Sequence, residues 1–123
     1  MDQVKFSSIS LSEELKRAVA EMGYDEATLI QSQSIPLILE GHDIIGRSQT
    51  GSGKTAAFGL PAIDMLDSEL GRKTVQVLIL CPTRELAMQA SNEIKKFSKY
   101  KSGINVVPIY GGEQIGLQLS SLR

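Results

Sequence analysis

The run Ser48-Gln49-Thr50-Gly51-Ser52-Gly53-Lys54-Thr55 has the residue types and spacing to hold a polyphosphate. Glycines at 51 and 53 let successive backbone N–H groups curl around an anion without Cβ clashes. The positive end of the helix that should follow faces the same anion. Lys54 can set its ammonium against β- and γ-phosphates, and Thr55 can give a hydroxyl ligand to Mg²⁺. The pattern is that of a phosphate-binding loop, except that Ser48 stands where the generic pattern has glycine. Serine is small enough for the same turn. The spacing therefore predicts binding of a nucleoside triphosphate with Mg²⁺, with Ser48 through Thr55 on the nucleotide and Thr55 on the metal.

Such a loop needs a strand to enter it and a helix to leave it. Asp43–Ser48 supplies a short apolar stretch through Ile44-Ile45, and residues 53–66 read as the helix, with an irregularity expected at Gly59–Pro61. Upstream, Leu11, Leu15, Val19 and Met22 fall on one face of a helix over 10–22. Ser10 and Glu13 stand at capping-box spacing there, and Gly23 at its stop. A second helix begins near Thr28, with Gln31 at the N3 position, and should kink or restart at Pro36. Downstream, Val75–Cys81 is a nearly unbroken apolar run that suits a strand covered on both faces. Thr83 can cap a helix over 84–100 whose buried stripe is Leu86, Ala90, Ile94 and Phe97. Residues 104–110 form a third strand, with Pro108 implying an edge or irregular position, and a last helix runs from about Glu113 to Leu122. Strand, helix, strand, helix, strand, helix implies an α/β fold, a mainly parallel sheet between helical layers.

Composition narrows the alternatives. The 123 residues carry 41% hydrophobic and 22% charged residues, which excludes wholesale disorder, collagen-like repeats and coiled coil. A formal net charge of −1 gives no global field for polyanions, so one must be held locally. The single cysteine, Cys81, excludes an internal disulfide framework. The apolar runs are far too short to span a bilayer, and Met1-Asp2-Gln3-Val4-Lys5 lacks a signal-peptide plan. A cytoplasmic protein with no membrane partner is expected. His42 has no partner at metal-ligand spacing, and Lys95–Lys101 reads as a solvated helix end.

Further segments carry a family resemblance. Gly23-Tyr24 with Ala27-Thr28-Leu29-Ile30-Gln31 resembles the Q motif of DEAD-box RNA helicases, and Phe6 lies upstream where that family keeps an aromatic. Ala27 and Leu29 stand where the family usually has prolines. Ser48–Thr55 looks like motif I, Pro82-Thr83-Arg84-Glu85-Leu86-Ala87 is similar to motif Ia, and Tyr110-Gly111-Gly112 resembles the GG motif. The resemblance implies a RecA-like P-loop three-layer sandwich, incomplete in this chain. It divides the chain into an N-terminal helical segment with the Q motif (1–40) and a partial ATP-binding domain (41–123). It also implies that the nucleotide is ATP, that Gln31 reads the adenine edge and that Tyr24 packs on the base. Pro82, Thr83, Arg84, Gly111 and Gly112 would hold an RNA sugar–phosphate backbone. Local spacing leaves other roles open: a capping-box partner for Gln31, a core aromatic for Tyr24, a helix cap for Thr83 and a solvated Arg84.

Hydrolysis needs a carboxylate to orient Mg²⁺ and activate water, and the family's Asp-Glu-Ala-Asp run does not occur here. The chain is therefore expected to be part of a longer one. By itself it should be inactive and poorly soluble, with apolar strand edges exposed and a gap in its core. The whole protein would be an ATP-dependent RNA helicase; an ATP-gated RNA clamp and a P-loop helicase acting on DNA are the alternatives.

Overall fold

The computed structural model describes residues 4–48, 53–70, 74–112 and 114–122. Five α-helices follow one another among them: α1 (Glu13–Glu21), α2 (Leu29–Leu39), α3 (Lys54–Asp64), α4 (Arg84–Phe97) and α5 (Ile115–Ser121). In α1, Leu15, Ala18 and Val19 recur at helical spacing and are buried, while Glu13 and Glu14 sit at the positive end of the helix dipole. Its N-cap is Ser12 rather than Ser10, and no capping box forms there. The Ser12 N–H is instead met by Asp64 Oδ1 at 3.2 Å, a cap lent by the far end of α3.

An N-terminal arm fixes the entry to α2. Lys5 and Glu26 form an antiparallel bridge, the Phe6 N–H donates to Asp25 O at 3.1 Å and the Ala27 N–H to Val4 O at 2.7 Å. The helix then runs unbroken across Pro36, where a kink or restart is expected from sequence. Pro36 is exposed, so the carbonyl that loses its amide partner can turn to solvent. Likewise α3 passes through Gly59–Pro61 without interruption, and the Pro61 ring is itself buried in the core. Helix α3 lies at the centre, packed on α2 and on α4, while α1 packs on α4. Phe6, Leu15, Val19, Ile35, Leu60, Ile63 and Phe97 share one apolar core drawn from both ends of the chain.

The parallel sheet is not formed among the described residues. Residues 43–48, 75–80 and 104–110 carry no strand ladder, and the Lys5–Glu26 bridge is the β-pairing there. A strand covered on both faces needs neighbours along both edges, and these segments have none to pair with. Their apolar side chains stand open: Ile45 is 96% exposed, Leu78 78% and Leu80 85%. Leu86, expected in the buried stripe of α4, is also exposed, because it faces this unfilled side, whereas Ala90, Ile94 and Phe97 are buried as the spacing predicts. The basic run after α4 is not wholly solvated. Lys101 Nζ donates to the carbonyls of Ile63 at 2.7 Å and Asp64 at 3.3 Å, closing the last turn of α3.

Candidate nucleotide and RNA site

Gln31 joins two elements. Thr28 caps α2 in a full capping box: its hydroxyl accepts from the Gln31 N–H, and Gln31 Oε1 accepts the Thr28 N–H at 2.9 Å. The other end of the same amide, Nε2, donates to Gly53 O at 3.1 Å. Gly53 is the N-cap of α3, with φ +87°, a left-handed conformation suited to glycine. A Cβ built on it would lie 2.1 Å from Gln31 Nε2, so the approach itself requires glycine. Burial to 4% exposure makes these partners matter, since an amide removed from water must find hydrogen bonds inside. The capping role for Gln31 is thus realised, and it reaches further than spacing alone implies. These bonds use one amide hydrogen and one lone pair, and leave one of each.

Lys54 and Thr55 open α3, Lys54 exposed and Thr55 half-buried. Gln49, Thr50, Gly51 and Ser52 lie outside the described residues, and Ser48 is half-buried at their border. A cavity of about 1350 Å³ brings Gln31, Gly53, Lys54 and Thr55 together with Tyr24 and Pro82. It continues under residues 77–81 and over α4, so it merges with the gap beside the unpaired segments. The Tyr24 ring stacks on buried Phe6, 6.3 Å between centroids and 25° between planes, and tilts against Phe97. Burial, with Glu93 adding a like-charge effect, pushes the Tyr24 phenol above its ordinary pKa. Tyr24 is therefore at once a core aromatic and a wall of the cavity. Among the described residues no group of three or more acidic, His or Cys side chains could hold a metal. His42 sits 3.4 Å from Glu40 in an exposed pair, away from this chemistry.

The second group of predicted residues also converges. Thr83 caps α4, its hydroxyl accepting from the Leu86 N–H at 3.2 Å. Arg84, the first residue of α4, is not simply solvated. Its guanidinium lies 4.9 Å from the centre of the Tyr110 ring, and Nη1 would be 3.6 Å from a Cβ on Gly112. Gly112 has φ +92°, a left-handed turn conformation suited to glycine. Arg84 thus meets residues 110 and 112, distant in sequence, whereas among the described residues no such contact joins Pro82 or Gly111 to them. Sequence reasoning missed Gln118, which is 8% exposed and accepts the Tyr110 N–H at 2.7 Å through Oε1. A polar residue amid Ile115, Leu117 and Leu119 was the available signal.

These features coincide with a known family. The DEAD/DEAH box helicase profile matches residues 28–123, from the Thr28 cap through both surfaces just described. The chain belongs to that family. Family relatives include an ATP-dependent RNA helicase CshA of Listeria monocytogenes, 50% identical over 97% of this chain and 22% of its own length. A CshA of Limosilactobacillus reuteri is 48% identical over 98% of this chain and 24% of its own length. Among solved helicases, a DEAD box protein from the hyperthermophile Methanococcus jannaschii aligns with TM-score 0.89 at 35% identity, covering 100% of this chain and 33% of that one. The RNA-helicase Prp28 from Chaetomium thermophilum bound to ADP aligns with TM-score 0.84 at 41% identity, over 94% of this chain and 28% of its own. The chain thus spans about a quarter of the length of the curated relatives it matches. Their backbone likeness supports a RecA-like arrangement of its helices, although the sheet is unpaired among the described residues.

Proposed function

We propose that this chain grips ATP–Mg²⁺ and an RNA backbone within an ATP-dependent RNA helicase. The observation that carries the reading is the tie between Gln31 and Gly53, which sets a side-chain amide, the base-sized wall of Tyr24 and the start of α3 around one cavity. Adenine would take the unused hydrogen and lone pair of Gln31 and pack against Tyr24. Backbone amides across Ser48, Gln49, Thr50, Gly51, Ser52 and Gly53 would enclose the phosphates, with the Lys54 ammonium on their outer oxygens. Magnesium would supply charge neutralisation at the phosphates, with the Thr55 hydroxyl as this chain's ligand. Pro82, Thr83, Arg84, Gly111 and Gly112 would hold RNA phosphates. Arg84 is suited to this by its planar fork, and contacts of that kind position a strand without reading its bases.

In the whole protein, ATP-driven closure on RNA would strain and separate a short duplex, and hydrolysis would release it. The likeness to helicases whose names specify ATP and RNA supports this reading. The test is a Mg²⁺–ATP titration of the whole protein with and without Lys54→Ala. A drop in ATP affinity of tenfold or more (roughly 1.4 kcal/mol, the order of a charge-assisted contact) is expected. Unchanged affinity refutes the assignment. RNA-stimulated turnover exceeding that with single-stranded DNA is expected as well.

A further inference from the structure

We propose that Tyr110 is a positioning residue for RNA, holding the Arg84 guanidinium in place through its ring, with Gln118 holding Tyr110 in turn. The inference rests on the assignment of Arg84 to an RNA phosphate and adds to it the device that aims the side chain.

Arginine at an exposed helix start has many rotamers, and freezing them on binding costs affinity. Here the guanidinium already lies over an aromatic ring, its Cζ 4.9 Å from the ring centre. A guanidinium can stack through its planar face while its N–H edges stay free to point outward. The edge nearest Nη1 borders Gly112, whose turn leaves no side chain in the way. The fork is thus held beside both Tyr110 and Gly112.

The backbone that carries the ring is itself held from behind. The Tyr110 N–H donates at 2.7 Å to the amide oxygen of Gln118, the one buried residue of α5. The apolar residues of that helix are exposed, Ile115 at 72% and Leu117 at 58%, so α5 is seated by polar contacts rather than by an apolar face. Asn105 Nδ2 donating to Ser121 O at 3.1 Å is the second such contact. A chain of contacts therefore runs from α5 through the backbone of residue 110 to the Arg84 side chain.

The experiment uses the whole protein and a single-stranded RNA oligonucleotide, with affinity measured in the presence of a non-hydrolysable ATP analogue. Tyr110→Leu should weaken RNA binding roughly two- to fivefold, the size of a partly exposed cation–π contact. Tyr110→Phe, which keeps the ring, should bind like the parent. In an Arg84→Ala background, Tyr110→Leu should cause no further loss, because the tyrosine acts through the arginine. Nucleotide affinity should be retained in both Tyr110→Phe and Tyr110→Leu. Equal losses from Tyr110→Leu with and without Arg84 would overturn the proposal, since the ring would then contact RNA on its own. So would a normal affinity of Tyr110→Leu alongside a weakened Arg84→Ala. Should Arg84→Ala itself bind RNA normally, the failure lies in the assignment of that arginine, and the positioning role falls with it.

Discussion

At the scale of single residues, Gln31 concentrates more structure than any other polar side chain described here. It closes the cap of α2 and bonds the carbonyl at the start of α3. Gln31→Leu leaves the Thr28 N–H and the Gly53 carbonyl without these partners inside the fold. It should cost about 1–3 kcal/mol of stability, read as a lower denaturant midpoint. ATP affinity should fall in the same variant. A second residue, Glu21, ties α1 to the end of α4. The Tyr100 hydroxyl donates to it, Lys99 Nζ pairs with it at 3.0 Å, and Arg17 covers the Tyr100 ring. The Tyr100 hydrogen bond first, then Lys99, holds the Glu21 carboxyl below its ordinary pKa. A depressed carboxylate stabilises the fold above its unfolded-state pKa and loses that contribution as pH falls through the folded-state value. Glu21→Gln should therefore lower the denaturant midpoint at about pH 7 and converge with the parent toward about pH 3.

At the scale of elements, the helices were largely legible because their signals are local. Thr28 and Gln31 at cap spacing, the stripe of Ala90, Ile94 and Phe97, and Thr83 before α4 all appear as their spacing predicts. Breaks at Pro36 and Gly59–Pro61 did not materialise, because tertiary packing overrides a local preference: α3 is clamped between α2 and α4. Pro36→Ala, at an exposed site inside α2, should raise stability by about 1–2 kcal/mol in thermal unfolding, the restored helix bond being partly offset by a freer unfolded chain. Lys101 could not have been foreseen from its charge run, since its partners are carbonyls some forty residues earlier. Replacing it in Lys101→Met removes a cation from the negative end of α3 and should cost about 1 kcal/mol by the same measurement.

For the molecule as a whole, the sheet is where sequence and structure part. Val75–Cys81 has the composition of a central strand, but strand formation is a property of pairs, and no backbone ladder joins it to a neighbour among the described residues. The proposed phosphate grip is legible as a motif, and its central residues 49–52 lie outside the described ones. Its surroundings were not legible, since the tie from Gln31 to Gly53 and the stack of Arg84 on Tyr110 join segments that spacing cannot relate. An open apolar segment of high β-propensity invites intermolecular pairing. The 123-residue chain by itself should associate in light scattering, and the double substitution Leu78→Lys with Leu80→Lys should reduce the associated fraction. A monodisperse parent chain would contradict this.

The close approach at residue 53 also bears on how loss-of-function variants are interpreted. Adding even a methyl there drives into the amide of Gln31, 2.1 Å from the new carbon. An alanine or valine in place of that glycine would thus injure the phosphate cradle and dislodge the side chain proposed to recognise the base. Such a variant is a compound lesion in the guise of a single one, touching both proposed ends of the nucleotide site at once. Lys54 offers the cleaner dissection.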